Sequence, residues 1–199
     1  GPPRSTQERS SAASDVYKRQ VQRLVNLPPV VIVGYGSDAV KQALTSAGLE
    51  VQFALQEQQL GTAHAISCAR PLLEGQADRV LVTCADMPLL QEETLQRLLS
   101  LHTQSGGVMT MTSVIGEVPR GFGRVLRDEQ GSVRAIVEEA VATPEQLTIR
   151  EYNVSAYCFG AEWLWKNLEQ IQLSAKKEYF LTDLVEIAVK QGHKVETLV

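Results

Sequence analysis

Arg79–Leu90, RVLVTCADMPLL, is an apolar run that stops on a carboxylate and meets a proline two residues later. A continuous Val/Leu/Thr run of this length predicts a strand buried on both faces, as in a parallel sheet, and Pro88 bars its extension. Asp86 then lies at the strand's carboxyl end. Ligands bind along that edge in open α/β sheets, where a carboxylate is placed to hold a hard cation against a phosphate. The same Asp also suits a helix cap before Gln91 or a turn before Pro88, so position alone leaves both readings open.

Upstream, Gln56–Ile66 (QEQQLGTAHAI) follows a short alternating strand, Glu50–Leu55. A helix from near Thr62 to Pro71 would present backbone N–H groups from Gly61 onward, and Gln56 offers a carboxamide able to pair with the edge of a base. Gly61 and Thr62 serve equally as a turn and an N-cap, and His64 reads as a helix-face residue. Before this, Pro28 and Pro29 separate a helical end, Val21–Leu27, from a strand, Val30–Tyr35. Gly34, Tyr35 and Gly36 turn the chain into a helix capped by Ser37 or Asp38 and closed by Gly48. The Gly34/Gly36 pair is a poor dinucleotide fingerprint, because Ala39 stands at its third glycine and no acidic residue ends a clean second strand. Strand–helix–strand–helix–strand within some sixty residues predicts parallel strands with right-handed crossovers. The polar leader Gly1–Gln20 lacks any period and reads as disordered or foreign.

Downstream, an amphipathic helix over Gln91–His102 precedes a strand over Gly107–Ile115. Two short strands around Gly131 follow, ending on Glu138 and Glu139, of which at most one can enter a common site, since neighbours in a strand face opposite ways. Ala142–Leu147 reads as a short helix, Glu151–Phe159 as a strand carrying Asn153, and Ala161–Ile171 as a helix whose Trp163 and Trp165 cannot both face the core. A last helix over Glu178–Gly192 and a strand from Lys194 complete the pattern.

The 199 residues are 44% hydrophobic and 21% charged, with a formal net charge of -4. This suits one globular domain and gives no electrostatic case for a nucleic acid or an anionic membrane. No apolar stretch could span a bilayer and no secretory leader is apparent, so a cytoplasmic location is expected. Cys68, Cys84 and Cys158 are odd in number and show no CxxC spacing, which points to small buried side chains rather than a disulfide or zinc site.

Four segments in this order, LQEQQLGTAHA, VLVTCADMPLL, GFGRV with IVEE, and EYNVSAY with EYFLTDLV, resemble the uridyltransferase domain of the bacterial bifunctional N-acetylglucosamine-1-phosphate uridyltransferase/glucosamine-1-phosphate acetyltransferase family. The resemblance covers roughly Val21–Val199. It implies an α/β fold with a Rossmann-like mixed, mostly parallel sheet of the nucleotide-diphospho-sugar transferase type. It also implies that Gln56 and Gly61 contact uracil with Thr62 beside them, that Cys84, Ala85 and Asp86 lie along the nucleotide and sugar, and that Asp86 ligates Mg²⁺. Gly123, Glu138 and Asn153 match positions that contact N-acetylglucosamine. The implied substrates are UTP and N-acetylglucosamine 1-phosphate, giving UDP-N-acetylglucosamine and pyrophosphate.

The family's opening strand with its Gly-rich loop of the type LAAGxGTRM, the following Pro-Lys pair, a second metal-ligating Asn and a left-handed β-helix that assembles trimers find no match here. The expectation is a monomeric fragment, truncated at both ends, with low turnover. Within the matched region, Cys84-Ala85-Asp86 stands for Tyr-Gly-Asp, and Asn153-Val154-Ser155 for Asn-Thr-Gly. A molybdenum-cofactor guanylyltransferase, to which a strand ending Ala-Asp-Met-Pro is also similar, and a binding-only remnant are the alternatives.

Overall fold

A computed structural model describes residues 24, 26–34, 36–87, 90–117 and 121–199. The leader, most of the expected Val21–Leu27 helix, Tyr35 and Pro88 lie outside them. In chain order the elements are β1 (Val30–Val33), α1 (Ser37–Ser46), β2 (Gln52–Leu55), α2 (Thr62–Leu73), β3 (Arg79–Thr83), α3 (Glu92–Ser105) and β4 (Met109–Ile115). Then come β5 (Arg124–Arg127), β6 (Val133–Val137), a 3-10 turn (Glu139–Val141), α4 (Pro144–Leu147), β7 (Glu151–Gly160), α5 (Ala161–Leu168), α6 (Asp183–Lys190) and β8 (Glu196–Leu198).

β1 and β2 form a parallel pair, and the other six strands a mixed sheet in the order β6-β5-β7-β4-β8, with β3 also on β7. β4 and β8 are parallel, whereas β7 is antiparallel to β3, β4 and β5, and β6 to β5. Thus β3, β4, β5 and β8 share one direction, and the sheet is mostly parallel in strand direction although β7 makes most of its ladders antiparallel. The expectation that Arg79–Cys84 is buried on both faces beside parallel neighbours needs correction. β3 has one well-buried residue, Val80, and its ladder is antiparallel.

Strand β7 organises the core because both of its faces are covered. Its period-two alternation sends Tyr157 and Phe159 to one side, against α5, α6, Met109 and Met111, and Ala156 and Cys158 to the other, against Leu95 and Leu98 of α3. Phe159 is fully buried, and truncating such a ring to Ala costs about 3–5 kcal/mol. Trp165 joins this core while Trp163 lies at its edge, donating from Nε1 to Gln191 Oε1 at 2.8 Å. That division follows from two residues being 200° apart around a helix.

Several element ends differ from the sequence expectation. Gly36, in the left-handed region at φ 80°, caps α1 in place of Ser37 or Asp38. α2 runs past Pro71 to Leu73, and α3 continues to Ser105, with His102 buried on its inner face and its Nδ1 3.0 Å from Thr110 Oγ1. Ala142 is extended, and Thr143 opens α4 with a capping box to Gln146. Residues 178–181 are not helical; the last helix starts only at Asp183.

Candidate functional site

β3 and β5 meet the same edge of β7 end to end. Thr83 pairs with Ala156, Arg124 with Tyr152, and Asn153 N–H reaches Gly123 O, so the edge at 154–155 lies open between the end of one strand and the start of the other. On the other edge the register with β4 jumps between Met111–Tyr157 and Ser113–Asn153, which marks a bulge in β7. Ser155 takes the kink at φ 53°, a conformation costly to residues with a Cβ. Bulges of this kind redirect side chains at functional sites. Here Ser155 N–H donates to Asn153 Oδ1 at 3.1 Å, and Asn153 Nδ2 donates to Tyr157 Oη at 2.6 Å, so the buried carboxamide is fixed at both ends.

Four of the expected residues converge on this opening. Cys84, following β3, lies close enough to Asp86, Ser155 and Glu138 that all three influence its thiol. Gly123, preceding β5, accepts from Asn153 N–H at 2.9 Å, and a Cβ on it would come within 3.4 Å of Glu138 Oε2 and 2.7 Å of Ile136 Cγ2. The clash would be with Ile136, so a glycine is what lets this turn pack against β6 beside Glu138. Glu138 and Glu139 lie beyond β6 rather than within it, and they diverge: Glu138 Oε1 accepts from Thr182 Oγ1 at 2.8 Å, whereas Glu139 pairs with Arg124 at 3.0 Å and accepts from Gly121 N–H. The two carboxylates part because a turn follows β6, and not through strand alternation. Ala85 and Asp86 form an exposed turn.

Gln56, Gly61 and Thr62 stand on the loop between β2 and α2. Gly61 is the N-cap at φ 97°, pressed against the backbone of Tyr179. Three hydrogen bonds tie this loop to residues 179–181: Tyr179 N–H to Leu60 O (2.8 Å), Ala63 N–H to Tyr179 O (3.0 Å) and Leu181 N–H to Thr62 Oγ1 (3.0 Å). Thr62 thus spends its hydroxyl acceptor on the protein. The next residue, Thr182, holds Glu138, so one continuous segment joins the two groups of expected residues. Sequence reasoning missed Tyr179, Ser155 and Tyr157. The serine at a position where the similar family has glycine was the available signal, and the 178–181 run was concealed by its helix-like spacing.

Burial pushes the Cys84 thiol up, and the Asp86 carboxylate pushes it further, which favours the neutral thiol. Burial likewise keeps Tyr157 a phenol and raises the Asp183 carboxyl, which also faces Glu186 and Glu138. Among the described residues no group of three or more His, Cys, Asp or Glu could hold a metal ion. Asp86, as one exposed carboxylate, fits a hard cation that draws its other ligands from phosphate oxygens and water. No described helix is long and apolar enough to cross a membrane.

The chain is 42% identical over 166 residues to the Bifunctional protein GlmU of Pelobacter propionicus, covering 83% of this chain and 36% of that protein. It is 43% identical over 178 residues to the protein of the same name from Anaeromyxobacter dehalogenans, covering 86% and 36%. It therefore spans about a third of the length of these curated relatives. The inositol-1-phosphate CTP transferase of T. maritima superposes with a TM-score of 0.69 at 16% identity, over 93% of this chain and 71% of that one. An apo UDP-glucose pyrophosphorylase does so with a TM-score of 0.68 at 13% identity, over 94% and 77%. These two structures establish the fold. The nucleotidyl transferase family model matches residues 10–199, and the chain belongs to that family.

Proposed function

We propose that this chain is the sugar-nucleotide-binding part of a uridyltransferase that joins UTP and N-acetylglucosamine 1-phosphate, releasing pyrophosphate, and that residues 21–199 belong to its nucleotidyltransferase domain. The observation that carries the reading is the convergence of Cys84, Gly123, Glu138 and Asn153 on one opening in the β7 edge, joined through 179–182 to the Gln56/Gly61 loop. Relatives named Bifunctional protein GlmU at 42–43% identity and the nucleotidyl transferase family support a nucleotidyl transfer of this kind.

The Gln56 carboxamide directs Nε2 to Gly61 O at 3.0 Å, which leaves its Oε1 as the acceptor, and Gly61 N–H has no acceptor among the described residues. An acceptor next to a donor complements the imino N–H and carbonyl of uracil. Gly123, Glu138 and Asn153 offer a backbone surface, a carboxylate and a carboxamide to sugar hydroxyls and the N-acetyl group. Asp86 would hold a divalent cation, Mg²⁺, whose charge neutralises the phosphates during transfer. The phosphate oxygen of the sugar attacks the α-phosphorus in line as pyrophosphate leaves, and no protein nucleophile is needed. The neutral Cys84 thiol agrees with that. The segment acts in the cytoplasm as a monomer on small molecules.

Isothermal titration of the purified chain with UDP-N-acetylglucosamine and Mg²⁺, beside Asp86→Ala, tests this. Binding that weakens at least tenfold in the variant, about 1.4 kcal/mol, is expected. No binding by a folded sample, or stabilisation by GTP and not UTP, would overturn the assignment.

A further inference from the structure

Resting on the assignment of Gln56 to the base, we infer that His64 is a positioning residue that locks the Gln56 carboxamide and thereby selects bases carrying an imino N–H over cytosine. Gln56 Nε2 lies 3.0 Å from Gly61 O and 3.1 Å from His64 Nδ1. A backbone carbonyl only accepts, so the nitrogen end of the amide must face Gly61. The same nitrogen then donates its second hydrogen to His64, whose Nδ1 must be the unprotonated, accepting nitrogen. The ring proton sits on Nε2, 4.0 Å from Cys68 Sγ one helical turn further on. Burial and the Glu57 carboxylate keep Cys68 a thiol, which can take that weak contact.

With both amide hydrogens engaged, Gln56 can show a ligand nothing but an acceptor. Uracil N3–H satisfies it. Cytosine N3, itself an acceptor, meets a lone pair, and the amide cannot turn to accommodate it without giving up both bonds. His64 sits at the third position of α2, on a rigid element, so it is placed to hold the amide from the protein side.

The test is titration of the chain with UTP and with CTP, in wild type, Gln56→Ala, His64→Leu and His64→Asn. Asn presents Oδ1 near the place of Nδ1, and Leu presents no acceptor. We expect wild type to favour UTP by about tenfold or more, Leu to cut that preference by about fivefold, as loss of one hydrogen bond does, and Asn to restore most of it. If wild type discriminates and Gln56→Ala abolishes discrimination while His64→Leu keeps it, the role of His64 is refuted and the base assignment stands. If wild type and Gln56→Ala bind both nucleotides alike, the base assignment itself fails. Imidazole ¹⁵N spectra of the wild-type chain give a readout independent of any variant's folding: a proton on Nε2 supports the inference, and one on Nδ1 overturns it.

Discussion

Gly61→Ala should disrupt the joint between the two halves of the site, and its magnitude can be worked from the structure. A Cβ at this position would lie 2.6 Å from Tyr179 O and 2.8 Å from Tyr179 N. Neither is the end of a flexible side chain, so the backbone segments must separate. The backbone bonds that Tyr179 makes to Leu60 and Ala63 are each worth about 0.5–1.5 kcal/mol. The φ of 97° with ψ -179° lies in a region used essentially by glycine alone and adds about 1–3 kcal/mol for any residue with a Cβ. The total is about 2–6 kcal/mol, or roughly 4–24 °C in Tm for a domain of this size. Gly131→Ala is the reference: Gly131 has a φ of 80° and nothing within 4 Å of its would-be Cβ, so it reports the cost of a positive φ without a clash. Urea unfolding followed by the fluorescence of Trp163 and Trp165 gives both values. If Gly61→Ala destabilises by no more than Gly131→Ala, the close approach of the two segments does not support the site.

Ser155 yields a second expectation from its φ of 53°. Ser155→Gly and Ser155→Ala both remove the hydroxyl, but only glycine relieves the kink, so the glycine variant should be the more stable by about 1 kcal/mol; equal midpoints would mean that the conformation stores no strain. Glu151 receives two bonds from Arg127 and one from Ser113, each at 2.6 Å, and these hold its carboxyl below the ordinary carboxylate range, Arg127 most of all. The stabilisation is complete above the unfolded value of about 4.3 and fades as pH falls through the lower folded one. Glu151→Gln should thus cost about 1–3 kcal/mol at pH 7, and its gap to wild type should close below about pH 4; a gap that persists at pH 2 would contradict the ion-pair account.

Most elements were legible in the sequence because their periods are local. The alternation of Glu151–Phe159 and the Pro and Gly breaks around the early strands set element types to within a few residues. The 178–181 run misled because Leu181 continues the helical spacing of Leu184, Val185 and Ala188, whereas Tyr179 and Leu181 pack against the core from a loop held by Gly61 and Thr62. Ladder direction around Arg79–Thr83 was equally hidden, since a strand's own residues do not say that β7, over seventy positions away, will pair beside it.

The motifs by themselves named the candidate residues and, through their resemblance, the chemistry: Gln56 and Gly61 for a base, Asp86 for a cation, Gly123, Glu138 and Asn153 for a sugar. Side-chain type and order are properties of the chain and survive without coordinates. Tertiary structure alone decided that β3 ends and β5 begins along one edge of β7, that Ser155 kinks beside Asn153, that Gly123 packs against Ile136 next to Glu138 while Glu139 turns away, and that Tyr179–Thr182 fastens the Gln56–Thr62 loop to Glu138. Each of these depends on contacts between segments distant in sequence, whose closure the packing of both faces of β7 fixes and no local pattern encodes.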